Sequence, residues 1–204
     1  MMDRRNALCV CLILAFPRLM MAADDVSVKG SMTIGPKTYK LTSVKAFRIK
    51  SDERDSIAVI VSQKPFEMSK PEILPSDNPR WIDLRSISLP TEVKEIRDVV
   101  PHLQAVFDEK TVKITSYQGW ADGTTFMSTD GWQTITGSVN GSATQRKKRQ
   151  RGVSGNWTAK IEGNRIVGSG AHKDDAPPSF PGTRTSFEFE FKSAIEQLDI
   201  KEVE

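Results

Sequence analysis

The 204-residue chain is 38% hydrophobic and 27% charged, with a mean hydropathy of −0.39, which excludes a disordered chain and a multi-span membrane protein. Its formal net charge is +3, from 29 basic and 26 acidic residues. With two histidines and two cysteines, a multi-histidine zinc site is impossible within one chain.

Residues 7–16 form an apolar run behind Arg4 and Arg5, ending at Pro17 before Ala22 and Ala23. That is the pattern of a secretory signal peptide over 1–22. The run reaches about half of the roughly 20 residues that span a hydrocarbon core, so no transmembrane anchor is expected after cleavage. Residues 1–22 carry Arg4, Arg5, Arg18 and Asp3, so cleavage takes 29 basic and 26 acidic residues to 26 and 25. Both cysteines, Cys9 and Cys11, leave with the leader. The mature chain then has no disulfide, catalytic thiol or thiolate metal site, which points to a bacterial exported protein, periplasmic or secreted. Residues 23–204 are expected to form a single antiparallel β domain.

The first strand reads Val26, Val28, Gly30, Met32 and Ile34 on one face against Ser27, Lys29, Ser31 and Thr33 on the other. Gly35-Pro36 turns it into a second strand, and a change of phase between Leu41 and Val44 predicts a bulge near Thr42-Ser43. Residues 57–61 are continuously apolar, the mark of a strand that is central or covered on both faces. From 64 to 90 lie five prolines, Pro65, Pro71, Pro75, Pro79 and Pro90, so this stretch reads as an extended crossover. One short helix is expected over 91–100, where Val93, Ile96 and Val100 share a face and Pro101 stops propagation.

Strands follow over 104–108, 111–117, 124–129 and 134–139, with Asp122-Gly123 and Asp130-Gly131 as turn pairs. Asn140-Gly141 is either a tight hairpin or an interruption of a longer strand. Val153, Gly155, Trp157, Ala159 and Ile161 alternate with polar residues, and Gly163-Asn164 turns that strand into 165–168. Phe187, Phe189 and Phe191 alternate with Glu188, Glu190 and Lys192, so one face is buried and the other wet. Residues 194–204 read as a frayed helix or a charged tail. The expected fold is all-β, an antiparallel β-sandwich or flattened β-barrel with one short helix.

The opening 28–34, then Lys37, Leu41, Ala46 and 57–65, resembles the start of uncharacterised exported bacterial all-β proteins. The glycines at 155, 168 and 170 and the final aromatic strand at 187–191 resemble their ends. The resemblance implies an exported sandwich or barrel-like fold and carries over no catalytic residue. The basic segment 146–151 and the long proline-rich crossover depart from it.

Several groups of residues carry candidate chemistry. Tyr117, Trp120 and Trp132 lie near glycine-containing turns, where aromatic rings stack on sugar faces or line a ligand mouth. Arg146, Lys147, Lys148, Arg149 and Arg151 concentrate positive charge, and read as a solvated hairpin loop or as a dock for an anionic partner. No nucleic acid is expected, for want of interleaved aromatics. Asp108, Glu109, Asp122 and Asp130 flank one group of strands and leave a carboxylate-based hydrolase as an alternative. His172 with Asp174 and Asp175 is a weak cation motif, and the sequence has no Gly-x-Ser-x-Gly elbow for a Ser-His-Asp hydrolase. The preferred reading is an exported, non-enzymatic binding or envelope-associated structural protein, without cofactor, whose partner is a glycan, a lipid or an envelope protein. A carbohydrate- or small-ligand-binding module is the nearest alternative.

Overall fold

The computed structural model describes residues 26–50, 55–68, 72–73, 87–88, 100–139, 142–174, 184–197 and 201–202. The chain is all-β, and among the described residues there is no helix. β1 (Ser27–Ile34), β2 (Lys37–Leu41), β3 (Ser43–Ile49) and β4 (Ser56–Ser62) come first. Three two-residue strands, β5 (Glu67–Met68), β6 (Glu72–Ile73) and β7 (Ile87–Ser88), fall in the proline-rich crossover. β8 (His102–Asp108), β9 (Ile114–Ala121), β10 (Thr124–Thr129), β11 (Gly131–Val139) and β12 (Ser142–Gln150) form a meander. β13 (Asn156–Glu162), β14 (Arg165–Lys173), β15 (Thr185–Gln197) and β16 (Lys201–Glu202) follow.

Twelve strands make one sheet in the order β12-β11-β10-β9-β8-β4-β3-β15-β1-β2, with β14 also on β15 and β13 beyond it. The pairings are antiparallel except where Ile195, Glu196 and Gln197 of β15 run parallel to Ala46, Phe47 and Arg48 of β3. β15 is the hub. Residues 185–192 pair with β1 on one edge and residues 186–194 with β14 on the other. The sheet curls into an open half-barrel, so strands far apart in the order touch across its interior. Tyr117 of β9 meets Phe187 of β15 at 5.1 Å between ring centroids, and Phe107 of β8 meets Phe191 at 6.3 Å.

That interior is the main core. Met32, Leu41, Val59, Leu103, Tyr117, Phe126, Ile166 and the three phenylalanines of β15 are all buried there, each apolar ring or chain contributing about 1.5–3 kcal/mol by leaving water. Two strand glycines make room for it. Gly119 lies opposite Phe126, and a Cβ there would come within 2.1 Å of the ring. Gly170 lies opposite Trp157, where a Cβ would come within 2.4 Å.

A second cluster, Phe47, Ile49, Ala58, Ile60, Phe66 and Val106, covers the outer face of β3, β4 and β8. β4 is therefore buried at every position, which explains its unbroken apolar run. The phase change after Leu41 sits at Thr42, between β2 and β3, where the Thr42 N–H donates to the Ser62 carbonyl.

Three expectations are corrected and one falls elsewhere. The strand expected over 111–117 starts at Ile114, because the N–H and hydroxyl of Thr111 both donate to Asp108 Oδ1, at 2.6 and 2.5 Å, and fold 109–112 into a turn. Residues 194–197 are neither helix nor tail. They continue β15, with Ile195 buried against β3. The basic segment, expected as a loop, is the edge strand β12. The helix over 91–100 falls, up to residue 99, outside the described residues.

Candidate functional site

The strands β9 to β12 present an outer face whose register follows from the two-residue period. Trp120 pairs with Thr125, Thr129 with Trp132, and Trp132 with Arg149, so these side chains share that face. Trp132 is 46% exposed, and the Arg149 guanidinium lies 5.1 Å above its ring, a cation–π contact worth about 0.5–1 kcal/mol at an exposed site. Lys147, opposite Thr134, stands beside them. Trp120, half-buried, stacks on His102 at 6.5 Å. The partners of the two tryptophans, Thr125 and Thr129, are four positions apart on β10, roughly 14 Å along the strand at about 3.4 Å per residue.

No Asp or Glu occurs in β9, β10, β11 or β12. The acids at the adjoining turns have partners of their own. Asp122 accepts Lys37 Nζ at 2.5 Å and the Tyr39 hydroxyl at 2.7 Å, and both bonds hold its carboxyl below the usual range. Asp130 accepts the Gly152 N–H at 2.7 Å. The face is therefore positive, lined between the tryptophans by Met127, Gln118 and the threonines at 125, 129 and 134.

Tyr117 is not on this face. It lies three residues before Trp120, an odd separation that a strand places on opposite sides, and its ring is wholly buried against Trp157, Phe187 and His172. Its hydroxyl shares a hydrogen bond of 2.6 Å with Ser154. Burial pushes this phenol up to about 12, against the opposing pull of its hydrogen bonds.

The same alternation splits the basic run. Arg146 is opposite Ile135 and Lys148 opposite Gln133, so both face the curl, and Arg146 pairs with the buried Asp174 after β14. Lys147 and Arg149 face out, while Arg151 is exposed just past the strand. Cations on an edge strand deter pairing with another sheet edge, which accounts for part of the run without any ligand.

Side chains join β10, β11 and β12 to the residues around β13 and β14 along a seam. Gln133 Nε2 lies 3.2 Å from His172 Nε2, and the Ser154 N–H donates to Ser128 Oγ at 3.0 Å. Gln150 Nε2 donates to Ser128 Oγ at 2.5 Å and to the Thr129 carbonyl at 3.2 Å.

Each of the four carboxylates of the hydrolase alternative has a partner of its own. Asp108 caps its own turn, Glu109 accepts Arg48 Nε at 2.7 Å, and Asp122 and Asp130 sit at separate hairpins with the partners given above. Of the cation motif, His172 and Asp174 belong to the seam and Asp175 lies outside the described residues. Among the described residues no three His, Cys, Asp or Glu side chains are grouped to hold a metal.

Comparison with protein-family models, with curated proteins and with solved structures finds no match to this chain. The residues alone define what the face can do. It offers one aromatic surface open to solvent, a second half-open, donors and acceptors between them, and outward cations at one edge. That set stacks, hydrogen-bonds and pairs with anions.

Proposed function

We propose that this is an exported, non-enzymatic binding protein that holds an acidic polysaccharide on the outer face of β9 to β12. The observation that carries the reading is the Trp132–Arg149 pair on a sheet face without a carboxylate. An indole ring stacks on the apolar face of a sugar, and a guanidinium beside it meets a uronate or sulfate group. Thr125, Thr129, Thr134 and Gln118 supply hydrogen bonds to hydroxyls. A folded nucleic-acid or lipid dock would use the same charge but leave the threonine rows unexplained.

The leader-like run at 7–16 and the confinement of both cysteines to it support export to the periplasm or beyond. The resemblance to exported bacterial β proteins supports the same compartment. The curled sheet is read as a flattened barrel whose last gap is closed by side chains along the seam instead of by a backbone ladder.

The test is native electrophoresis through gels holding polygalacturonate, dextran or no polymer. Retardation by polygalacturonate, lost in Trp132→Ala and in Arg149→Gln, is the expected result. Equal mobility in all gels, or binding confined to anionic vesicles or single-stranded DNA in parallel sedimentation and gel-shift assays, overturns the reading. Recovery of the native protein still carrying residues 1–22 in the cytosol overturns export.

A further inference from the structure

Among the described residues the twelve-stranded sheet ends in three free edges, β12, β2 and β13. Two are guarded. β12 carries cations on both faces, and β2 is held to the turn after β9 by Lys37 and Tyr39, which both bond Asp122. β13 has neither device. It contains no proline or glycine, and its two charges, Lys160 and Glu162, pair with each other at 2.5 Å. An unguarded edge of this kind is a template for another strand.

The ladder fixes which backbone groups that edge presents. The Asp174 N–H donates to the Thr185 carbonyl and the Ile195 N–H to the Asn164 carbonyl, so the even-numbered residues of β14 bond to β15 and the odd-numbered ones to β13. Their partners on β13 are Asn156, Thr158, Lys160 and Glu162. The N–H and carbonyl groups of Trp157, Ala159 and Ile161 therefore point away from the sheet, and none of them is bonded among the described residues. The side chains of the same three residues are half-buried and pack on the rim of the main core.

We propose that β13 pairs antiparallel with β13 of a second copy of this chain, with Ala159 on the two-fold axis. In that register Trp157 stands opposite Ile161 of the second copy and Ala159 opposite itself. Each pair exchanges both backbone hydrogen bonds, so every free group of both edges is used. The inner face then joins Trp157 and Ile161 into an apolar stripe that runs from one core to the other. On the outer face Lys160 meets Thr158 and Glu162 meets Asn156, so no like charges are directly opposed. The neighbouring registers are poorer: one sets Lys160 against Lys160, and the other sets Ile161 against Gly155, outside the strand. This self-matching selects a second copy over an unrelated strand.

The test is sedimentation velocity of the folded protein from about 1 to 300 μM, a range that brackets weak association. A concentration-dependent dimer is expected. Ala159→Pro removes an N–H that the internal ladder does not use and is expected to weaken the dimer by about tenfold or more. A cysteine reads the register without altering the backbone. In a chain also carrying Cys9→Ser and Cys11→Ser, Ala159→Cys is expected to oxidise to a covalent dimer, because a hydrogen-bonded antiparallel pair sets its Cα atoms about 5.5 Å apart, within disulfide reach. Gln145→Cys on β12, in the same background, should stay monomeric. A monomer throughout the range, a dimer equally strong in folded Ala159→Pro, or cross-linking at Gln145→Cys in place of Ala159→Cys would each overturn the proposal.

Discussion

The Tyr117 hydroxyl, on the inward face of β9, lies 2.6 Å from Ser154 Oγ in the link between β12 and β13. Thirty-seven residues apart in sequence, the two hold the meander against the last hairpin. Ser154 also lies 3.1 Å from Ser128 Oγ, so removing the phenol oxygen leaves it a partner. Tyr117→Phe is expected to cost about 1 kcal/mol, the net value of one such bond. Tyr117→Ala, which also empties the centre of the aromatic core, is expected to cost about 3–5 kcal/mol. Urea unfolding measures both, and an alanine variant as stable as the parent would place the ring outside the core.

Gly119 yields a complementary prediction. Its α-hydrogens are the floor under Phe126, and the 2.1 Å left for a Cβ cannot be met without moving the ring. Gly119→Ala is expected to destabilise by about 1–3 kcal/mol, as overpacked cores do. Adding Phe126→Leu should recover part of that loss, and its failure to do so would mean that strain in the backbone, not the ring, sets the penalty.

The chain has two tyrosines, and both are pushed up to about 12. Burial leads at each, reinforced at Tyr39 by the carboxylate of Asp122. The unfolded chain ionises near pH 10, so between about 10 and 12 it releases protons that the fold retains. Stability is then fully present below pH 10 and falls as pH rises through that window. Absorbance at about 295 nm should show no phenolate at the ordinary tyrosine midpoint of about pH 10 while the protein stays folded. A half-ionised spectrum there would show that at least one ring is solvated.

His102 contributes on the acid side. Burial lowers its pKa, only partly offset by its bond of 2.7 Å to the Val100 carbonyl, and its Nε2 has no hydrogen-bond partner among the described residues. The unfolded chain takes up a proton near pH 6.5 that the fold refuses, so stability falls as pH drops below about 6.5. The urea midpoint of the parent should decline between pH 7 and 5 by more than that of His102→Gln. Equal declines would assign the loss to other groups.

Much of the sheet was legible because alternation is enforced wherever one face is buried. Phe187, Phe189 and Phe191 announced β15, and Asp122-Gly123 announced a turn whose two residues take φ 48 and 72. The parallel end of β15 was not legible, since Ala194 to Gln197 carry too few apolar residues to show a period and owe their structure to β3 beside them. The basic run misled for a related reason. At this sheet edge β12 turns cations to both faces, Arg146 and Lys148 inward and Lys147 and Arg149 outward, so it lacks the apolar stripe that marks a strand. For the aromatics the parity was present, since the three-residue step from Tyr117 to Trp120 forbids a shared face, but only the known position of β9 turns that parity into a buried ring and a half-exposed one.

The outward and inward cations of β12 provide the most direct test of the proposed role. Polygalacturonate affinity, measured by titration calorimetry at low salt, should fall about tenfold or more, that is by about 1.4 kcal/mol, in Lys147→Gln/Arg149→Gln. It should stay within about twofold of the parent in Lys148→Gln, whose residue lies opposite Gln133 on the inward face of β12. Equal losses in the two variants, or none in either, would contradict a polymer seated on the outer face beside Trp132.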